Sequence, residues 1–428
     1  MKRRYVLAMV MMGLLMLAIS GVTPAAQKTL TVMLVQDYDK VLWTPDAEQF
    51  MKDHPDVKVE IVLQPSGYTE KILTMIATGM APDVILESCG GNMLEWLVDD
   101  VLLDVAPYIA RDAAFFKDWI PEYMMRSYYK GKSFGVVQPR AGLYPIWFNR
   151  RLYDAAGLPY PDGNWDFDTF RAHMRKLTVD RDSDGVPDQY GWHHSWKTWV
   201  PFLYNFGGGI QDPNDPSIIL LDHPKTVEAM TFMQNLEFVD RVATPDHRFN
   251  SSRTLEAFAS GKAAVTLRSA TWYGSLPESM KDGETLGIAL LPSNLSTPYA
   301  MTTISAFAIP KDSKNHDLAF ELIKYFVDEE TQRRCKVENM GVVVNHKINR
   351  EFFPSGLPVW NHDKVITQSV MCPMFSVDYM MPDSATDIMS AMINAVVRDN
   401  ELPAKIAVDQ YVPQIREIMK DFLAKLAK

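Results

Sequence analysis

Residues 56–86 read DVKVEIVLQPSGYTEKILTMIATGMAPDVIL, and their order decides the fold. Asp56 to Leu63 alternates apolar and polar side chains with the period of two expected of a strand. Tyr68 to Thr78 has helical spacing, Gly79 can end that helix, and Pro82-Asp83-Val84-Ile85-Leu86 opens another strand. Upstream, Thr29 to Val35 (TLTVMLV) is a β-rich run, followed by a helical segment around 47–53 that stops near Pro55. Strands separated by helices of this length build a parallel sheet with helices on its faces. The expected fold class is α/β.

The alternation returns far downstream. Ile288–Pro292 and Ser305–Pro310 read as strands, Asn315–Glu329 as an amphipathic helix, and Ser384–Lys428 as almost wholly helical with a break near Asn400–Pro403. No internal repeat or long flexible linker separates the blocks, so two domains joined by chain crossings are expected of a chain this long.

The beginning and the composition set the expected compartment. Lys2, Arg3 and Arg4 precede an apolar block from Tyr5 to Ile19, and small residues follow through Ala26, which is the order of a cleaved secretory signal. The competing reading is an uncleaved anchor, since the stretch comes close to the ~20 apolar residues that span a bilayer. Without residues 1–26 the chain keeps 40 basic against 53 acidic residues, a formal charge of −13. Such a surface disfavours nucleic acid and anionic lipid as partners. The three cysteines, Cys89, Cys335 and Cys372, read as separate thiols or at most one bridge.

Several blocks resemble the extracellular solute-binding proteins, family 1, that serve ABC sugar importers. Tyr68–Val84 is similar to that family's Y-x-x-K-hydrophobic segment ending in G-x-A-P-D-V, and Gly131–Val136 to its G-K-x-Y-G strand. Trp147–Leu158 is similar to Y-N-K-x-L-F-x-x-A-G-L, Asn164–Thr178 to T-W-D-E-F with K-L-T, Phe258–Ala264 to F-x-x-G-K-A-A, and Ile309–Phe326 to the lysine-flanked helix that follows. The resemblance implies a two-lobed periplasmic-binding-protein fold, each lobe a mostly parallel sheet flanked by helices, with a ligand cleft and hinge between. It places the first lobe at residues 27–140 and 303–343 and the second at 141–302 and 344–428. It further implies a monomeric, extracytoplasmic receptor that carries a carbohydrate to the membrane permease of an ABC transporter.

A sugar presents apolar C–H faces ringed by hydroxyls, so its site needs aromatic platforms beside planar donors and acceptors. Glu87 and Ser88 end a strand whose carboxyl end is where open α/β sheets bind ligands, although Glu87 could equally pair with a nearby base. Arg140 and Tyr144 fall where the resemblance implies the first interlobe crossing. Ala263–Leu267 reads as a strand that delivers Arg268 and Trp272. Trp192, Trp196 and Trp199 crowd around His193 and His194 and read as an aromatic wall, with Trp196 the ligand candidate; Trp43 completes the set. Adjacent histidines diverge, so that pair is a poor metal site. Trp165 and Phe170 read as core, in a helix that Asp162 or Asn164 can cap.

Asp180, Asp182, Asp184, Val186 and Asp188, with Gly185 at the sixth position, reproduce the first part of a calcium loop. Position twelve is Gly191 rather than a bidentate glutamate, so a structural calcium site and a plain solvated turn both fit. Nucleophile elbows, zinc-protease helices, redox cysteine pairs and phosphate loops are missing. The expectation is a binding protein; the rivals are a secreted glycoside-active enzyme with two hidden carboxylates and a receptor for a non-sugar solute such as a polyol phosphate.

Overall fold

Strand β1 (Lys28–Leu34), helix α1 (Asp37–Asp53), strand β2 (Val57–Leu63), helix α2 (Tyr68–Ala77) and strand β3 (Val84–Ser88) follow one another as the sequence pattern requires. They belong to a computed structural model that describes residues 27–427 apart from 36, 90, 195–198, 214, 216, 246–250, 340–341, 353–354 and 377–379. The leader read at 1–26 lies outside the described residues. β1 lies between β2 and β3 and runs parallel to both. As the inner strand it buries Leu30, Val32, Met33 and Leu34, whereas outer β2 alternates, with Val57 and Val59 buried and Lys58 and Glu60 exposed. Helix α2 ends as expected: Gly79 takes φ +72° and the Met80 N–H closes onto the Met75 carbonyl at 2.8 Å. The Tyr68 hydroxyl lies 2.9 Å from the Met33 carbonyl and 3.0 Å from that of Leu86, tying α2 to both parallel strands.

Helix α3 (Gly91–Val98) leaves the carboxyl end of β3. A hairpin of β4 (Tyr128–Tyr129) and β5 (Lys132–Ser133) turns through Lys130 and Gly131, both at positive φ, and leads to β6 (Val136–Val137). The chain then crosses through β7 (Arg140–Leu143) into a second sheet. That sheet comprises β8 (Ile146–Asn149), β9 (Tyr190–His193), β10 (Ala263–Leu267) and β11 (Leu286–Ala289), in the order β11-β8-β10-β9. Helices α4 (Phe167–Leu177) and α5 (Pro224–Phe238) belong to this half. Trp165 and Phe170 are core, as read, but the N-cap of α4 is Asp166, whose carboxylate accepts from the Thr169 N–H at 2.8 Å; Asp162 instead accepts from Asn164 at 3.0 Å.

The chain returns through β12 (Ala300–Thr303) into β13 (Ser305–Ala308), completing a first sheet of order β2-β1-β3-β13-β6. Helices α6 (His316–Val327) and α7 (Glu329–Asn339) follow, then β14 (Val342–Val343), β15 (Met374–Ser376), helix α8 (Asp383–Ile393) and helix α9 (Ala404–Leu426). The expectation of mostly parallel sheets needs correction. β13 runs antiparallel to β3 and β6, and β8 antiparallel to β10 and β11. The cause in the first sheet is the route of the chain: β13 arrives from the other sheet and enters at the carboxyl end of β3, so it must run the other way.

The crossing strands make a third sheet, β14-β7-β12-β15. One hydrophobic cluster gathers Leu30, Val32, Ile85, Phe307 and Phe326, and another gathers Phe148, Trp192, Val265, Met389 and Ile415. Cys89 and Cys335 are buried and Cys372 is half-buried, and no disulfide joins any two of them. No helix among the described residues is long and apolar enough to cross a membrane.

Candidate functional site

The two main sheets are joined by the crossing strands β7 and β12, which pair at Gly142 of β7. A Cβ there would sit 2.5 Å from Thr303 Oγ1 of β12 and 3.5 Å from both Ser269 Oγ and Tyr144 Cε2. A side chain there would force Thr303 to give way, so glycine suits the close pairing of the crossing strands.

Four of the residues singled out from the sequence gather here. The Arg140 guanidinium stands 3.7 Å from Asp39 on the first turn of α1, with only 13% and 7% of the two side chains exposed. Tyr144 adjoins Gly142 and acts electrostatically on Arg268. The Arg268 guanidinium carbon lies 3.9 Å from the centroid of the Trp272 ring. Burial pulls the Arg268 pKa down to about 10, which still leaves it charged at neutral pH. Trp272 is half-buried in a 3-10 turn, Ala270–Ser275. That turn packs against α7, so it bridges the two halves of the molecule.

Glu87 is half-buried at the carboxyl end of β3, opposite Ala306, and its charge helps raise the Tyr68 hydroxyl, which burial already pushes up. Ser88 follows it in register with Ser305; its side chain lies outside what the structure describes. Trp43 requires a correction. It is fully buried, its ring 5.3 Å from Phe307 and 6.1 Å from Phe326, so it serves the core of the first half. The aromatic wall fails for the same reason where it can be seen. Trp192 is packed 5.3 Å from Phe170 and 5.7 Å from Phe202, and Trp199 is buried. Trp196 falls outside the described residues.

The histidine pair is interior structure. His193 Nδ1 meets Thr244 Oγ1 at 2.6 Å. Trp192 Nε1–H donates to His194 Nδ1 at 3.2 Å, and His194 Nε2 faces Glu237 at 3.6 Å. Burial pushes the Glu237 carboxyl from 4.5 up to about 8. The folded protein therefore holds this proton more tightly than the unfolded chain does. The resulting stability is complete below about pH 4.5 and is lost as the pH climbs through 8. Glu237→Gln is expected to remove that decline, as urea unfolding at pH 5 and pH 8 can measure; equal losses in both proteins would assign the slope to another group.

Sequence reasoning missed Asp39, the partner of Arg140, and Arg126, whose charge is opposed by burial and favoured by Tyr204, Cys89 and Tyr123. Tyr204 in turn lies 5.8 Å from Tyr299, which lines a recess together with Tyr144, Pro145 and Cys372. The only trace of Arg126 in the sequence is its place in the tyrosine-rich run Tyr123–Tyr129.

In the aspartate loop, Asp180 accepts from the Ser183 and Gly185 N–H groups at 2.8 and 2.9 Å, and Asp188 from that of Arg181 at 2.7 Å. The carboxylates of Asp180, Asp182 and Asp188 offer oxygens within 4.8 Å of one another, all exposed. Asp184 stands outside this group; its carboxylate accepts from the Val186 N–H at 2.7 Å. Gly191, in the place of the usual glutamate, lies in β9 so close to α4 that a Cβ would be 2.2 Å from the Met174 carbonyl oxygen.

Residues 37–333 match the sequence profile of the bacterial extracellular solute-binding proteins. No curated protein matches at a significant level. Among solved structures, the chain resembles the ABC substrate-binding protein Lmo0181 of Listeria monocytogenes in complex with cycloalternan, at 19% identity and TM-score 0.75, over 92% of this chain and 98% of that one. It likewise resembles the GacH receptor of Streptomyces glaucescens, studied with acarbose, at 18% identity and TM-score 0.76 over 93% and 100%. UgpB of Mycobacterium tuberculosis in complex with glycerophosphocholine matches at 15% identity and TM-score 0.74 over 94% and 99%. These similarities show that the fold is the two-lobed arrangement of periplasmic binding proteins.

Proposed function

The chain belongs to the bacterial extracellular solute-binding proteins, and from that membership we propose that it binds a carbohydrate between its two main sheets and delivers it to the permease of an ABC importer. The lobes in this reading are residues 27–140 with 303–343 and residues 141–302 with 344–428, the protein is a secreted monomer, and it catalyses nothing. The observation that carries the reading is the Arg268–Trp272 stack beside Tyr144, on a turn that touches both halves. It supplies an aromatic face next to a fixed planar donor, which is what a sugar ring needs. Glu87, Arg140 and Ser88 stand as polar contacts from the first lobe, and Trp196 as a second-lobe aromatic.

A thermal-shift panel tests it. A ligand at about 100 times its dissociation constant adds ~2.7 kcal/mol to folded-state stability. A mono- or oligosaccharide is expected to raise the melting temperature and to be recovered uncleaved. Cleavage of the sugar would support the glycoside-active enzyme instead. A second reading, a polyol phosphate ester, is favoured by two cations, Arg126 and Arg268, that the fold withdraws from solvent. Glycerophosphocholine in the same panel decides it.

We also propose that Asp180, Asp182 and Asp188, with the Val186 carbonyl, hold a structural calcium ion; convergence of the three carboxylates supports this. Asp182→Ala is expected to lower the melting temperature only when calcium is present, since an ion bound to the folded state stabilises by mass action. An unchanged wild-type melting curve with and without chelator would leave the loop a plain turn. Asp184→Ala is expected to act only through the loop's backbone, since Asp184 lies outside the convergent group and accepts from the Val186 N–H.

A further inference from the structure

We propose that Asp39 sets the charge selectivity of the proposed site, so that the site takes a neutral polyhydroxyl ligand and turns away phosphate esters and other anions. The inference rests on the reading in which ligand binds between the two main sheets, and it chooses between the two ligand classes of that reading.

Strand β7 carries the geometry. Side chains two residues apart share a face of a strand, so Arg140, Gly142 and Tyr144 line one face, the Tyr144 N–H still donating to the Met301 carbonyl of β12 at 3.1 Å. Gly142 gives the direction of that face, since a Cβ there would lie 3.5 Å from Ser269 Oγ, next to Arg268. At the start of the same face the Arg140 guanidinium stands 3.7 Å from the Asp39 carboxylate. That is an ion-pair distance, longer than a direct N–H···O bond.

Three further links place Asp39. Its charge acts together with that of Glu87 on the Tyr68 hydroxyl, which lies 3.0 Å from the Leu86 carbonyl near the carboxyl end of β3. Its helix, α1, is tied to α7 by Arg334, which donates to the Leu42 carbonyl at 3.0 Å and to Asp46 at 2.6 Å. Helix α7 in turn packs against the turn that carries Trp272. Asp39 therefore belongs with Glu87 and Arg140 to the first-lobe side of the site.

A guanidinium beside the amino end of a 17-residue helix would draw an anion from solvent. The chain sets its own carboxylate there instead. Asp37, on the same first turn, is exposed, whereas Asp39 is buried. A buried carboxylate needs a nearby cation, and Arg140 provides it. The field of Asp39 then opposes that of Arg140 for any second negative group. A hydroxyl meets no such opposition, because it donates to a carboxylate as readily as it accepts from a guanidinium.

Thermal shift at low ionic strength, with inorganic phosphate and glycerol phosphate as probes, tests the assignment. Wild type is expected to respond to neither more than to sodium chloride of equal ionic strength. Asp39→Asn keeps the shape and removes one charge, and it is expected to strengthen phosphate binding by roughly tenfold or more, less in high salt. Adding Arg140→Gln to Asp39→Asn is expected to abolish the gain. A merely structural role for Asp39 would weaken or leave unchanged every ligand alike. If Asp39→Asn fails to fold, Asp39→Ser leaves room beside Arg140 for a solvent anion and is expected to show the same gain. Equal phosphate responses in wild type and variant, a phosphate ester bound tightly by wild type, or a gain that survives loss of Arg140 overturns the assignment. Phosphate alone serves as probe, so a carbohydrate panel that finds no binder and an Asp39 that excludes nothing are separate results.

Discussion

Trp272→Ala is expected to weaken carbohydrate binding by roughly 1 to 3 kcal/mol, the scale on which a central buried aromatic contact acts, and to leave the fold intact. The substitution removes the platform and also releases Arg268, whose guanidinium now lies 3.9 Å from the ring centroid. A buried cation loses its stacking partner, so both the apolar and the polar part of the proposed site loosen together. Trp272→Phe keeps a face for Arg268 and is expected to recover much of the affinity. Calorimetric titration of the tightest sugar from the thermal-shift panel measures the effect. An unchanged affinity in a correctly folded alanine variant would remove Trp272 from the site. The same outcome is expected for Trp196→Ala if Trp196 is the second aromatic.

Gly191→Ala is expected to cost about 3 kcal/mol or more in unfolding free energy, the upper range for overpacking. The added methyl would lie 2.2 Å from the Met174 oxygen and 2.6 Å from its Cα. These are backbone atoms of α4, which cannot turn aside as a side chain can. The helix would have to lift from β9, where it covers Trp192 through Phe170 and Met174. Urea unfolding checks this; a loss below about 1 kcal/mol would show that α4 is free to shift. The same contact explains the sequence of the aspartate loop, since no glutamate can stand at Gly191.

Much of the first half was legible because local pattern and tertiary place agree there. The alternating β2, the Gly79 stop and the Pro82–Leu86 strand each appear where spacing puts them. The break before Pro403 also falls as read: a π-helical turn, Asn394–Arg398, extends α8, and the helix stops before α9 begins at Ala404. The site was legible in part. Arg268 and Trp272 could be found because a strand of recognisable pattern delivers them. Trp43 could not be told from a ligand contact, because the rings that enclose it, Phe307 and Phe326, lie far along the chain. Trp192 was misread because β9 is covered on both faces, its four residues all buried, and periodicity marks a one-sided strand only. Asp39 carries no local signal and Arg126 only its tyrosine-rich surroundings, because the burial of a charge is a property of the folded molecule.

The central claim is that ligand binds between two lobes and draws them together, a population shift that requires contacts to both. Small-angle scattering with and without a saturating concentration of the tightest panel ligand tests it most directly. The expected result is a smaller radius of gyration at unchanged mass; a tightly bound ligand that leaves the scattering curve unaltered would contradict it and confine the site to one lobe.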